Sequence, residues 1–261
     1  MFDDNTMECD ETKQLIEVNH VSIEGSKQSL HDVSFTLCLG EDVIFFGAEN
    51  SGIDFICPLL AHAVDNYTGD VLYKGQDIKA MDFVEVHNFR KISGYLQRGY
   101  ALISNMTVYE NIALPLRYHT DMPDSEIHEL VDSLINYMHL SHCSDVRPVM
   151  LTQSEMLRTA YARAIALNPD MLLVEHPLEG QCLWNAQIFL SALQNRAFSE
   201  NKTVIVVTYQ PSEYIDIATR LIMLHDGRVV FDGSKDEFEK TDNDYIKQYV
   251  TLSPYGPMTL R

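Results

Sequence analysis

Val43-Ile44-Phe45-Phe46-Gly47-Ala48-Glu49-Asn50-Ser51-Gly52-Ile53-Asp54-Phe55 is the stretch on which the reading of this 261-residue chain turns. Four apolar residues, Val43 to Phe46, predict a buried strand. Gly47 and Gly52 then bracket a loop, and the apolar run Phe55-Ile56-Cys57-Pro58-Leu59-Leu60 follows as a predicted helix. Strand, G-x-x-x-x-G loop and helix, in that order, is the layout of a phosphate-binding P-loop. In a working P-loop the next two residues are Lys and then Ser or Thr, but here they are Ile53 and Asp54. The scaffold of a nucleotide site is written in the sequence without its cation.

Outward from that loop, the pattern is α/β. Ile16-Glu17-Val18 opens a strand, and His31 to Leu37 alternates apolar and polar as a half-buried strand does. Gly69 to Gly75 reads as a short hairpin strand, and Ile92 to Gln97 as another strand edge. From Thr107 to about Leu167 the chain is mostly helical, with Asp124-Ser125 expected to cap a helix whose apolar stripe runs through Ile127, Val131 and Leu134. Met171 to Val174 and Thr203 to Val207 have no wet face and suit central parallel strands. Leu221 to Phe231 folds back on Asp226-Gly227 as a C-terminal hairpin.

Bulk properties narrow the function. No stretch approaches 18 consecutive apolar residues, so no membrane span is predicted, and the acidic start MFDDNTMECDE is unlike a signal peptide. A net charge of −19 argues against nucleic-acid binding and against docking on anionic lipid, because both need Lys and Arg partners. The five cysteines (Cys9, Cys38, Cys57, Cys143, Cys182) are scattered without a C-x-x-C pair, which fits reduced thiols better than disulfides or zinc.

With the strands placed, the chain resembles the ATP-binding-cassette (ABC) ATPase subunits, from near residue 15 to the end of the hairpin. The ordered series of motifs carries the resemblance. Gly94-Tyr95-Leu96-Gln97 looks like the Q-loop, with Gln97 its glutamine, and Arg98 to Ile112 matches the start of the helical subdomain. Leu151-Thr152-Gln153-Ser154-Glu155 stands where the family has LSGGQ, ahead of the family-like helix Ala160 to Leu167. Leu172 to Pro177 occupies the Walker B position, Cys182 the D-loop aspartate and Tyr209 the H-loop histidine. Within the family the chain is most similar to the Mla-type subunits of phospholipid trafficking and organic solvent tolerance in Gram-negative envelopes. Leu114 to Thr120, Leu178-Glu179-Gly180-Gln181 and Asp244 to Tyr249 are the residues behind that likeness.

The resemblance implies a P-loop NTPase-like ABC nucleotide-binding domain over residues 15–252. It would have a RecA-like core, an antiparallel β subdomain and a helical subdomain at about 104–165, with an acidic disordered lead-in (1–14) and a C-terminal tail (253–261). It also implies a transmembrane permease partner, a second cassette and other Mla-like subunits, and a cytoplasmic place on the inner face of the inner membrane. A permease-docking surface would border Gln97, with Tyr100, Leu102, Ile103, Met106 and Tyr109 in its groove.

Each chemical position departs from the family pattern. Ile53 removes the ammonium that reaches the β/γ oxygens, and Asp54 puts an anion where a hydroxyl holds Mg²⁺. Glu175 replaces the Walker B aspartate, a mild change, and His176 stands where a glutamate polarises water. Gln153 and Ser154 replace the signature glycines and obstruct close backbone approach to a γ-phosphate. The sequence therefore predicts a cassette subunit that does not hydrolyse ATP, with no cofactor, docking a permease in a structural or regulatory role. An alternative keeps ATP and Mg²⁺, with Asp54 and Glu175 as metal ligands and His176 as base. A second alternative is a free-standing binding protein that reuses the fold.

Overall fold

Apolar alternation and turn chemistry lay out ten strands and eight helices in the computed structural model, which describes residues 13–195 and 202–259. The strands are β1 (Gln14–Ile23), β2 (Leu30–Cys38), β3 (Asp42–Phe46), β4 (Thr68–Tyr73), β5 (Gln76–Asp77), β6 (Ser93–Leu96), β7 (Met171–Glu175), β8 (Thr203–Thr208), β9 (Arg220–His225) and β10 (Arg228–Ser234). The helices are α1 (Ile56–Leu60), α2 (Phe83–Ile92), α3 (Val108–His119), α4 (Asp124–Tyr137), α5 (Gln153–Ile165), α6 (Leu183–Gln194), α7 (Lys235–Lys240) and α8 (Asp244–Thr251). The chain divides into two compact units, residues 1–86 with 203–261, and residues 87–202. The acidic lead-in expected over 1–14 lies, up to residue 12, outside the described residues, and β1 already begins at Gln14.

In the first unit, β3 pairs in parallel with β8 on one side and β9 on the other, and β10 returns antiparallel to β9. Every residue of β3 and of β8 is buried, which is why 43–46 and 204–207 within them read as unbroken apolar runs. A separate antiparallel sheet in the order β2-β1-β4-β5 covers this core, and Phe35 of β2 meets Phe45 of β3 with ring centroids 5.0 Å apart. Arg220, only 2% exposed, is held by charge-assisted bonds: Nε and Nη2 donate to the two oxygens of Asp232 at 2.6 and 2.7 Å, and Nη1 donates to the Thr36 carbonyl at 2.7 Å. That fork fastens β9 to β10 and to β2.

The second unit pairs β6 with β7 in parallel and carries α3 to α6. Thr107 and Thr152 each close a capping box, with Glu110 and Glu155, at the starts of α3 and α5. The cap expected at Asp124-Ser125 is displaced: Asp124 is already the first helical residue of α4, and Pro123, with its fixed φ, precedes it without a side-chain cap. The reduced-thiol expectation also needs correction. Among the described residues Cys57, Cys143 and Cys182 are thiols outside any disulfide, but Cys38 is disulfide-bonded, a pairing that spacing alone does not reveal.

Candidate functional site

The loop after β3 is built around two glycines whose identity the backbone enforces. A Cβ on Gly47 would lie 2.4 Å from the Leu224 carbonyl oxygen and 2.6 Å from Ser51 Oγ. Gly52 has φ +97°, and a Cβ there would lie 2.7 Å from the Ser29 oxygen. Between them Ala48, Glu49 and Asn50 are exposed, with Asn50 in the left-handed region at φ 64°. The Ser51 amide turns back to the Ala48 carbonyl (3.1 Å), and the Ser51 carbonyl accepts from Gly227 in the β9–β10 turn (2.9 Å). The Ser51 hydroxyl is buried and has no hydrogen-bond partner among the described residues.

Beyond Gly52 the chain does not enter a long helix. Ile53–Phe55 form a 3₁₀ turn, and α1 lasts only from Ile56 to Leu60. Ile53 is 1% exposed, so its hydrocarbon is part of the core. Asp54 is half-buried, and its carboxylate accepts from the Tyr209 hydroxyl (3.1 Å to Oδ2, 3.3 Å to Oδ1) and from the Gln28 amide (3.3 Å). Thus Asp54, expected from the sequence at a magnesium-ligand position, is bonded to Tyr209, expected at the H-loop position. Phe55 lies against Gly25, where a Cβ would come within 2.9 Å of its ring. The Tyr249 hydroxyl of α8 donates to the carbonyl oxygens of Tyr209 (2.6 Å) and Gly47 (2.8 Å), sharing its proton between them. Its ring stands edge-on to Phe46, and burial pushes its hydroxyl pKa up to about 12. Sequence reasoning placed Asp54 and Tyr209 at motif positions but gave Gln28 and Tyr249 no role. A glutamine 26 residues upstream carries no signal, whereas Tyr249 sits in a stretch noticed only for its resemblance.

The second unit holds the remaining motif positions. Glu175 ends β7 with both carboxylate oxygens engaged: the Tyr95 hydroxyl donates at 2.6 Å and the Arg98 amide at 3.0 Å. His176 follows, buried, with φ 41°. Gln97 is exposed, and its carbonyl accepts from the Tyr100 amide (2.9 Å). Of the expected groove, Tyr100 is buried, Leu102, Met106 and Tyr109 are half-buried, and Ile103 is exposed. The wholly buried Asn111 pins this loop, donating to the Ile103, Met106 and Thr107 carbonyls and accepting from the Ile103 amide. At the signature position Leu151 is buried, and Thr152 caps α5. The Gln153 amide packs against Gly180, where a Cβ would meet it at 3.0 Å, and Ser154 is buried, its hydroxyl without a partner among the described residues. Cys182 stands at the N-cap of α6 without the side-chain bond that an aspartate there would supply.

This order of motifs can be set against known proteins. The family model for ABC transporters matches residues 30–179, more than half of the chain. The protein belongs to the ABC transporter family. It is 25% identical over 250 residues to the intermembrane phospholipid transport system ATP-binding protein MlaF of Haemophilus influenzae, covering 95% of both chains. The Escherichia coli K12 MlaF protein is 26% identical over 248 residues, covering 95% of this chain and 92% of the relative. Among solved structures, the post-hydrolysis dimer of the ATP-binding cassette MJ0796 bound to ADP and Pi superposes with a TM-score of 0.77. It is 23% identical, covering 85% of this chain and 99% of that one, and shows the shared ABC ATPase fold. Within that fold the antiparallel sheet, the parallel strands and the helices over 108–165 stand as expected for this family.

Proposed function

We propose that this ABC subunit serves a membrane transporter of the Mla-like, lipid-carrying kind, and that it docks a permease without hydrolysing ATP. The observation that carries the proposal is the Asp54 carboxylate, bonded to Tyr209 and Gln28 where a magnesium-binding hydroxyl belongs, beside a buried Ile53. A magnesium nucleotide does not fit these residues. The loop offers Glu49 and Asp54 and no cation, and a five-residue helix behind a 3₁₀ turn lends little dipole to an anion. At an effective dielectric of about 20, a unit charge about 4 Å from the carboxylate is repelled by roughly 4 kcal/mol.

Permease docking has its own support in the second unit. A cavity of about 370 Å³ is lined by Arg90, Lys91, Tyr118, His119 and Arg163 together with apolar Pro115. In a chain of net charge −19, this local excess of cations suits an acidic, amphipathic segment of a partner. Among the described residues no helix is long and apolar enough to cross a membrane, so a membrane role calls for such a partner. On this reading the protein is peripheral to the inner membrane, and residues about 104–165 form its helical subdomain. A second cassette completes the assembly.

The competing reading, an active ATPase, draws on the relatives, which are named ATP-binding proteins of a phospholipid transport system. It would place Mg²⁺ on Asp54 and Glu175 and make His176 the base. Titrating the purified chain with ATP, with and without Mg²⁺, and following phosphate release separates the two. The proposal expects neither saturable binding nor turnover, with co-purification of a permease from native membranes. Magnesium-dependent turnover abolished by His176→Ala would establish the active enzyme instead.

A further inference from the structure

The turn before the signature position carries chemistry that the motif series does not use. Ser141–Cys143 form a 3₁₀ turn, and the following loop leads into α5. The turn brings His142 and Cys143 against Glu155, the third residue of that helix. One donor atom from each of the three lies within 4.8 Å of the other two, and among the described residues no other group of three His, Cys, Asp or Glu side chains closes in this way. We propose that His142 Nε2, Cys143 Sγ and Glu155 Oε1 form a binding site for a zinc-type divalent ion that ties the turn to the first turn of α5.

Three features make the set more than a chance cluster. Imidazole, thiolate and carboxylate together are the donors that a borderline ion takes, and three protein ligands leave a fourth position for water. The carboxylate is already oriented. Its Oε2 accepts from the Thr152 amide and hydroxyl at 2.8 Å, while Oε1 faces His142 Nε2 at 2.7 Å. An ion taking Oε1 leaves the helix cap intact and inherits a ligand positioned by outer hydrogen bonds. Finally, charge balances: a thiolate and a carboxylate neutralise a dication.

The geometric adjustment is small. Donors about 2.0–2.3 Å from one tetrahedral ion lie roughly 3.3–3.8 Å apart. The His142–Glu155 contact of 2.7 Å must open by about half an ångström, and the widest separation, at most 4.8 Å, must close by no more than about one. His142, whose side chain is 61% exposed, has room to turn. Cys143 is buried, and its thiol now donates to the Leu140 carbonyl at 3.3 Å. On binding, the S–H bond gives way to an S–metal bond and the proton leaves to solvent, while His142 coordinates as neutral imidazole. Scattered cysteines hid this site from the sequence, because its ligands are an adjacent His-Cys pair and a glutamate 12 residues beyond Cys143.

Cobalt(II) is the direct probe. Titrated into the full chain carrying Cys182→Ala, which removes the exposed thiol, it should give one thiolate-to-cobalt charge-transfer band, saturating at one ion per chain and bleached by zinc. Cys143→Ala should abolish the band. His142→Ala, at a surface position that does not threaten folding, should weaken binding at least tenfold while leaving the circular dichroism unchanged. Absence of the band in the parent, survival of the band in Cys143→Ala, or unaltered affinity in His142→Ala would each overturn the assignment. None of these readouts depends on nucleotide, so failure here leaves the transporter reading untouched.

Discussion

If the proposed reading holds, replacing Ile53 by lysine and Asp54 by serine should give the loop after β3 an affinity for nucleotide that the parent lacks. The gain can be bounded from the surroundings. Removing the Asp54 carboxylate lifts a repulsion of about 4 kcal/mol for a phosphate roughly 4 Å away at an effective dielectric of 20, and a lysine ammonium adds attraction of similar size. Asp54 is only half-buried, so solvent screens about half of each contribution, leaving about 4 kcal/mol, or nearly three decades in Kd. There is an opposing cost in stability. The Tyr209 hydroxyl and Gln28 amide lose a charged acceptor, worth about 1.5–3 kcal/mol. The introduced ammonium must also find its way out of a site where the native Ile53 side chain is 1% exposed. The double variant should therefore bind a fluorescent ATP analogue in the micromolar range in the presence of Mg²⁺, where the parent shows no saturation, and should melt at lower temperature. The reasoning fails if the parent already binds with micromolar Kd, or if the well-folded variant binds no better than the parent.

Other perturbations probe the same framework. A double-mutant cycle of Asp54→Ala and Tyr209→Phe, read by urea unfolding, should return a coupling of about 1–3 kcal/mol; additive effects would mean that the bond between the two positions carries nothing. Tyr249 has its folded pKa raised from 10 to about 12, so the neutral form is the one the fold prefers. Its contribution is intact below pH 10 and falls away as pH rises toward 12. Comparing parent with Tyr249→Phe should show the parent losing more stability across that window. Arg220→Met strands the Asp232 carboxylate and should cost about 3–5 kcal/mol, seen as a large drop in the unfolding midpoint. Thr152→Ala removes one capping box and should cost about 1 kcal/mol, with no change in the shape of the circular dichroism spectrum.

Local pattern alone determined a good deal of this protein. The apolar run Val43–Phe46 could only be an interior strand, and β3 is buried at every residue. Gly47 and Gly52 could be read as loop punctuation because no side chain tolerates their backbone surroundings. The order of strands, helices and motif positions placed the chain in its family, since periodicity and turn chemistry are encoded by neighbours in sequence. Other facts depended on contacts that sequence distance conceals. That the Asp54 carboxylate meets Tyr209 is a bond across 155 residues, and that Tyr249 bridges Gly47 and Tyr209 requires α8 to fold back over the end of β3. The short α1, the displaced cap at Pro123 and the convergence of His142, Cys143 and Glu155 likewise arise only when packing chooses among locally acceptable conformations. Sequence specifies which groups are present and on which face; tertiary packing decides which of them become partners, because a hydrogen bond or an ion site needs atoms within a few ångströms.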